Sequence, residues 1–511
     1  MARSTKRQYA INTASGMVEQ FTRIAMGFVL VPYLMWRLGL KEYGFSTLAQ
    51  SALVFFGFLQ LGLGPTLIRF CSQAIARKDE EEIRKVSSTA QVMLGLLGAA
   101  GMIGILGFIP AFIAIYNVPE ALTFGVSMLL ACMAITFFLN FILVVPQGLA
   151  MGSNRYDLMN IINTGGNILR LGLIVVTFEL YEPSLSLLGI CFLVTATFRM
   201  IAFYSIDLLI LGRIILPSLR CVNKKTFKDL FGFSMLNLIN SVAAFLVVQG
   251  PLLIMGRTLG PEITALFFPA TLVASSMQGV LAQISAPLVP MASQAQVDNN
   301  LKKAGSWSIM IASFIAVVGL AIALPLCVFG HEVVQLWLGE NKAYIWNVIA
   351  IMAVAAVLSQ TGAVNYSLAM GGGCIRPHVY SLIILGVIIV SSVAVETYFL
   401  GWELFDVAVG IVLCQCCRNV FYLTYAYSKQ FFYSVSAYFK EVYGKPFLVF
   451  TAVAGMAWGM KLELTPDSLL LLVAEIAVTM LIYGIVAWYF LLPATIKKNL
   501  FKLIPGLRAF G

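Results

Sequence analysis

Long apolar runs, most of about twenty residues or more, alternate with short polar connectors along nearly the whole chain. A run of that length can cross a bilayer as a helix, because the hydrocarbon core is about 30 Å thick. The pattern predicts an all-α integral membrane protein with about fourteen transmembrane helices. Their approximate extents are 9–34, 45–67, 88–112, 121–145, 158–178, 185–212, 231–255, 263–290, 305–330, 345–368, 379–400, 403–426, 446–461 and 468–492. Short alternating segments of the membrane β-barrel kind are not what the chain shows. Inside the first run, Asn12, Ser15, Glu19 and Arg23 recur at spacings of three, four and four, so they form one polar stripe on an otherwise apolar helix. A charge at mid-bilayer costs at least about 2.5–3.5 kcal/mol, so such a stripe faces protein or a water-filled path. Glu19 and Arg23 are also spaced to pair along the helix. The pair could therefore lock helix to helix, or the stripe could line a path.

The same patterning repeats. Ser72-Gln73-Ala74 returns as Ser293-Gln294-Ala295, and at the same offset Leu38-Gly39 returns as Leu259-Gly260. At a slightly shorter offset Leu149-Ala150-Met151-Gly152 returns as Leu368-Ala369-Met370-Gly371, Pro32 matches Pro251, and Arg199 matches Arg418. Helices 1–6 and 7–12 therefore read as two copies of one six-helix unit, in a parallel repeat about an axis along the membrane normal. The expected domains are an N-terminal lobe at 1–220, a C-terminal lobe at 221–430, and two extra helices with a basic tail at 431–511. Two matched lobes imply alternating access, with helices one, two, seven and eight as the cavity wall. Helix seven has its own stripe, Ser234, Asn237 and Ser241, and helix eight adds Gln278 among other polar residues.

Composition confirms the class: 60% of residues are hydrophobic, only 11% are charged, and the mean hydropathy is +0.91. The first run follows a short basic leader without a small-residue cleavage pattern, which reads as a retained helix. Placing both termini in the cytoplasm puts most of the 33 basic residues on the inner side; only Arg37, Lys41, Arg257, Lys342 and Lys461 fall outside. The net charge of +10 thus belongs to loops facing anionic lipid, and nucleic acid need not be invoked. The nine cysteines lie mostly in or beside apolar runs and demand no disulfide framework.

Charges predicted inside the membrane are mainly positive: Arg23, Arg170, Arg199 and Arg418. The carboxylates counted against them are Glu19 and Glu475, with Asp207 near an inner end. An excess of guanidinium in a low-dielectric cavity favours an anionic substrate, and its paired N–H donors suit phosphate. Arg23 is the foremost candidate because it shares the stripe. Arg199 and Arg418 fit either a structural role or a phosphate contact, and Arg170 could equally reach a helix-end carbonyl or an acid. His331-Glu332 has no second His at metalloprotease spacing, and Gly371-Gly372-Gly373 has no Walker lysine. No metal, cofactor or direct use of ATP is expected.

Val31-Pro32, Arg37-Leu38-Gly39, Glu42-Tyr43-Gly44 and the paired Leu149–Gly152 and Leu368–Gly371 stretches resemble the polysaccharide-transporter branch of the multidrug/oligosaccharidyl-lipid/polysaccharide flippase superfamily. The resemblance implies a non-enzymatic flippase of the inner membrane that moves a polyprenyl-diphosphate-linked oligosaccharide from the cytoplasmic to the outer leaflet. It implies coupling to H+, Na+ or membrane potential, association with polysaccharide polymerase or export proteins, and a substrate contact at Arg23. The alternatives are a cation-coupled small-molecule exporter on the same fold, which calls for more buried acids, and a membrane polymerase or ligase, which calls for a large outer loop.

Overall fold

The computed structural model describes residues 5–60, 63–77, 79–211, 222–223, 239–285, 287–298, 300–463 and 469–491. Twelve helical segments among them are long and apolar enough to cross a membrane. The expected count of about fourteen differs for two reasons. The first segment, Ala10–Gln60, has 51 residues, about 77 Å at 1.5 Å per residue, which is enough for two crossings. It holds nearly all of the first expected helix, 9–34, and most of the second, 45–67, whose last residues, 63–67, fall in the next helix, Leu63–Ala76. The thirteenth expected helix is present at Lys445–Glu463, but it is not among the twelve.

The chain forms two compact units, residues 1–265 and 266–511. Unit 1 holds α1 (Thr5–Phe56), α2 (Leu63–Ala76), α3 (Glu80–Ile115), α4 (Glu120–Gly152), α5 (Tyr156–Leu180), α6 (Leu185–Leu211) and α7 (Gly250–Thr258). Helix α8 (Pro261–Ser285) begins at its end. In unit 2 follow α9 (Leu288–Val297), α10 (Leu301–Val328), α11 (Gly330–Leu338), α12 (Trp346–Gly371), α13 (Arg376–Tyr398) and α14 (Leu404–Cys416). A π-helical turn at Cys417–Tyr422 leads into α15 (Leu423–Phe431), α16 (Val435–Tyr438), α17 (Lys445–Glu463) and α18 (Leu469–Phe490).

Each unit packs by the same plan. In unit 1, α4 lies against α2, α3 and α6, and α5 lies against α6. In unit 2, α12 lies against α9, α10 and α14, and α13 lies against α14. The short sequence repeats sit where this plan needs them. Gly39 and Gly260 both have positive φ (79° and 94°), a conformation glycine adopts without a steric penalty. At Gly39 this breaks α1 between its two halves. Gly152 closes α4 over α2, where a Cβ would stand 3.1 Å from Ser72 N. Gly371 closes α12 over α9 in the same manner, 3.1 Å from Ser293 N, and the Ser293 hydroxyl donates to the Gly371 carbonyl at 3.0 Å. The repeated serine and the repeated glycine are two sides of one helix crossing.

The cores are helix-to-helix seams. Leu67, Leu94, Ala134 and Leu149 centre a cluster in unit 1. Leu288, Ala316, Leu368 and Tyr427 belong to its counterpart in unit 2.

Candidate functional site

Unit 1 carries an open cavity of about 380 Å³, within the range of roughly 300–1,000 Å³ typical of ligand sites. The second half of α1 and the turn after it supply Gln50, Leu53, Val54, Gly57 and Gln60, and α4 supplies Thr136, Asn140 and a wall of Met133, Phe137 and Phe141. Arg170 comes from α5, and Phe192, Thr195, Ala196 and Arg199 come from α6. No carboxylate is among the described residues lining it.

The two arginines are held in part and open in part. Arg199 donates from Nη2 to Asn167 Oδ1 at 2.7 Å, while its Nε is buried without a partner. Gly166 makes room for this side chain, since a Cβ there would overlap Arg199 Nε. Arg170 places its guanidinium 6.0 Å from the centre of the Phe192 ring, and its Nε is likewise buried and unpartnered. Thr136 Oγ1, on the facing α4, is a third buried polar atom without a partner. Three residues lining the cavity thus each carry a buried polar atom without a partner, which is uncommon in a packed interior. The two guanidinia also act on each other electrostatically. Negative charge placed between them would relieve that repulsion.

The α1 stripe divides. Its N-terminal part is taken up by the start of α5: Asn12 Oδ1 accepts from Asp157 N at 3.1 Å, and Asn12 Nδ2 donates to Asn154 O at 3.1 Å. Gln8 donates to Asp157 Oδ1 at 2.9 Å, and Ser15 Oγ accepts from Asn160 Nδ2 at 3.0 Å. Asn12 thereby caps a neighbouring helix. Glu19 supplies negative charge that acts on Arg199, rather than pairing with Arg23. Arg23 itself is exposed and donates to Gln20 Oε1; it does not line the cavity. Ser241 is exposed and Gln278 half-buried, each away from this cavity's lining. Ser234 and Asn237 lie outside the described residues. Arg418 belongs to a separate buried cluster in unit 2, with Ser381, Asn419 and His378.

Asn140, Thr136, Gln50 and Gln60 were not singled out from the sequence as site residues. Asn140 had a signal: it is a lone amide in the apolar run Phe137-Phe138-Leu139-Asn140-Phe141-Ile142. A second omission is Glu396 of α13, a membrane carboxylate only 6% exposed.

The structure is thus a polytopic helical protein with two units of one packing plan and a polar cavity among the helices of one of them. The comparisons agree. The family profile described as "Polysaccharide biosynthesis protein" matches residues 38–350, more than half of the chain. The chain belongs to that family. It is 22% identical over 369 residues to the "Uncharacterized membrane protein EpsK" of Bacillus subtilis (strain 168), covering 69% of this chain and 70% of that one. A multidrug resistance MATE family transporter of the MOP superfamily, solved inward-facing, superimposes with a TM-score of 0.68 at 16% identity, over 84% of this chain and 99% of its own. A MOP superfamily transporter from Pyrococcus furiosus, described by the reverse polarity of its binding pocket and a suggested different function, gives 0.61 at 15% identity, over 84% and 96%. These structures share the fold.

Proposed function

We propose that this protein flips a polyprenyl-diphosphate-linked oligosaccharide from the cytoplasmic to the outer leaflet of the inner membrane, for surface polysaccharide synthesis. The observation that carries the reading is the charge of the unit 1 cavity: two arginines, Arg170 and Arg199, with no carboxylate among the described lining residues and Glu19 acting on Arg199 from outside that lining. A site for a cationic drug would carry the opposite charge. A diphosphate offers several acceptor oxygens to such a pair, and the neutral amides Gln50, Gln60 and Asn140 suit the hydroxyls of the sugar that follows. Pocket polarity can differ within one fold, as the reverse polarity described for the Pyrococcus furiosus transporter indicates for that protein.

Arg23, on the exposed face of α1, is in this reading an outlying contact for the same headgroup, and the exposed Ser241 is a further polar contact in unit 1. Both termini are cytoplasmic, as the distribution of basic residues predicts. The polymerase and export proteins of the pathway are the expected partners.

The test uses cells lacking the protein. Their lipid extract should accumulate a cytoplasm-facing diphosphate-linked oligosaccharide as surface polysaccharide is lost. The wild-type chain should restore export, and the chain carrying Arg170→Ala with Arg199→Ala should not. Unchanged polysaccharide together with greater retention of cationic dyes would replace the proposal with the exporter.

A further inference from the structure

Unit 2 buries a carboxylate for which the cavity of unit 1 has no use. Glu396 lies on the last turns of α13, inside a membrane-crossing segment. It is 6% exposed, and its Oε2 has no hydrogen-bond partner. Its Oε1 rests against Gly410 of α14, so closely that a Cβ there would collide with it.

The internal repeat shows how this arrangement came to fit. At the offset that relates Arg418 to Arg199, Glu396 corresponds to Thr177 and Gly410 to Cys191. Those two side chains also touch, with Thr177 Oγ1 3.4 Å from Cys191 Sγ. Unit 2 has exchanged a small hydroxyl beside a thiol for a carboxyl beside a glycine. The volume released at Gly410 is the volume the longer acid occupies.

The surroundings do not neutralise an ionised Glu396. On α14, the groups that act on or are acted on by it are Asp406, of like sign, and the Cys414 thiol. The other element packed closely on α13 is α15, which meets it near the opposite end, where the Tyr427 hydroxyl donates to the Cys374 carbonyl. Arg418 and His378 bond to each other at that end as well. Among the described residues no cation pairs with Glu396. An ionised carboxylate buried with an orphan oxygen is costly, and adding a proton removes the charge and supplies an O–H donor. A sodium ion would call for several converging oxygens, yet one side of the carboxyl is closed by the Gly410 backbone. No group of three or more His, Cys, Asp or Glu side chains gathers around a common point among the described residues.

We propose that Glu396 is a proton-binding site built into unit 2. The carboxylate takes a proton from water when exposed, is buried as the neutral acid between α13 and α14, and returns the proton when the two helices separate. Proton exchange at this site drives the transport cycle, a clause that rests on the flippase reading above.

Infrared difference spectroscopy of the purified full-length protein, titrated across neutral pH, tests the site without reference to transport. A carbonyl band of a buried protonated carboxyl is expected. It should disappear in Glu396→Gln and persist in Glu475→Gln. The paired variant Glu396→Thr with Gly410→Cys, which installs the combination unit 1 already accommodates, should fold normally and also lack the band. Identical spectra for wild type and Glu396→Gln would overturn the site. Coupling is then read in proteoliposomes with a fluorescent polyprenyl-diphosphate disaccharide. A pH gradient should accelerate its flipping in wild type and lose that effect in the paired variant. Acceleration by a sodium gradient alone would overturn the coupling. The infrared band without flipping under any gradient would support the proton site and overturn the flippase reading instead.

Discussion

Arg199 and Arg418 occupy equivalent positions in the two units and are held in opposite ways. Arg418 is 8% exposed and its donors are engaged: Nε to Ser381 Oγ at 3.1 Å, Nη1 to Asn419 Oδ1 at 2.7 Å, and Nη2 to the His378 carbonyl at 3.2 Å. The His378 ring completes the enclosure and packs on Tyr366, with centroids 4.1 Å apart. Arg199 has Asn167 as a hydrogen-bond partner, keeps an orphan Nε and borders a void. The neighbouring position differs as well: Arg170 in unit 1 corresponds to Ile389 in unit 2, a fully buried aliphatic residue. A satisfied guanidinium beside an isoleucine holds helices together. Two partly satisfied guanidinia beside a cavity are, in the proposed function, the pair that meets the ligand. On that reading the partners around one repeated arginine separate the roles of two similar units.

The sharpest way to break this comparison is to remove each arginine in turn. Arg199→Ala should leave unit 1 folded and lower transport about 100-fold, corresponding to about 3 kcal/mol of lost charge-assisted contact. Arg170→Ile, which copies unit 2, should act in the same direction. Flipping in proteoliposomes measures both, and normal transport by Arg199→Ala would remove the cavity from the substrate path. Arg418→Met should instead act on stability. It relieves one buried charge but orphans acceptors on Ser381, Asn419 and His378, a net loss of about 2 kcal/mol. That loss would appear as a lower Tm in detergent. An unchanged Tm with lost transport would mean the two arginines share one role.

The glycine crossings sharpen the comparison at smaller scale. A Cβ at Gly371 would run into the Val289 carbonyl oxygen and the Ala292 methyl, whereas at Gly152 the tightest approach is 3.0 Å, to Cys71 Cβ. Overpacking of a core typically costs about 1–3 kcal/mol. Gly371→Ala should fall near the top of that range and Gly152→Ala near the bottom. Their order in thermal unfolding is the test.

The repeat was legible because it is written in short-range terms. Leu38-Gly39 and Leu259-Gly260 mark positive φ, and the Ser72/Gly152 and Ser293/Gly371 pairs mark close helix crossings. The ligand-facing surface was less legible. Periodicity established that Asn12, Ser15, Glu19 and Arg23 share a face of α1, but not that the start of α5 covers the first half of that face. The cavity draws on residues from Gln50 to Arg199, and no local pattern joins them before α1, α4, α5 and α6 pack. Glu396 escaped notice for a similar reason: it sits near a helix end beside Glu403 and Asp406, and only Gly410, fourteen positions on, shows that it points inward.

The smallest expected effect concerns how α5 and α13 begin. The second residue of α5 is Asp157, whose backbone N–H donates to Asn12 Oδ1 at 3.1 Å; the side chain of the cap position, Arg155, makes no capping bond. The second residue of α13 is Pro377, which has no N–H to satisfy. Unit 1 therefore recruits a side chain from another helix for a task that unit 2 avoids. Asn12→Ala should cost about 1 kcal/mol, the usual value of a lost helix cap, and lower the Tm of the protein modestly. Because the second half of the α1 stripe and the two cavity arginines are untouched, transport should stay near normal. A loss of transport as large as that of Arg199→Ala, at unchanged Tm, would return Asn12 to the substrate path and make the stripe one functional surface after all.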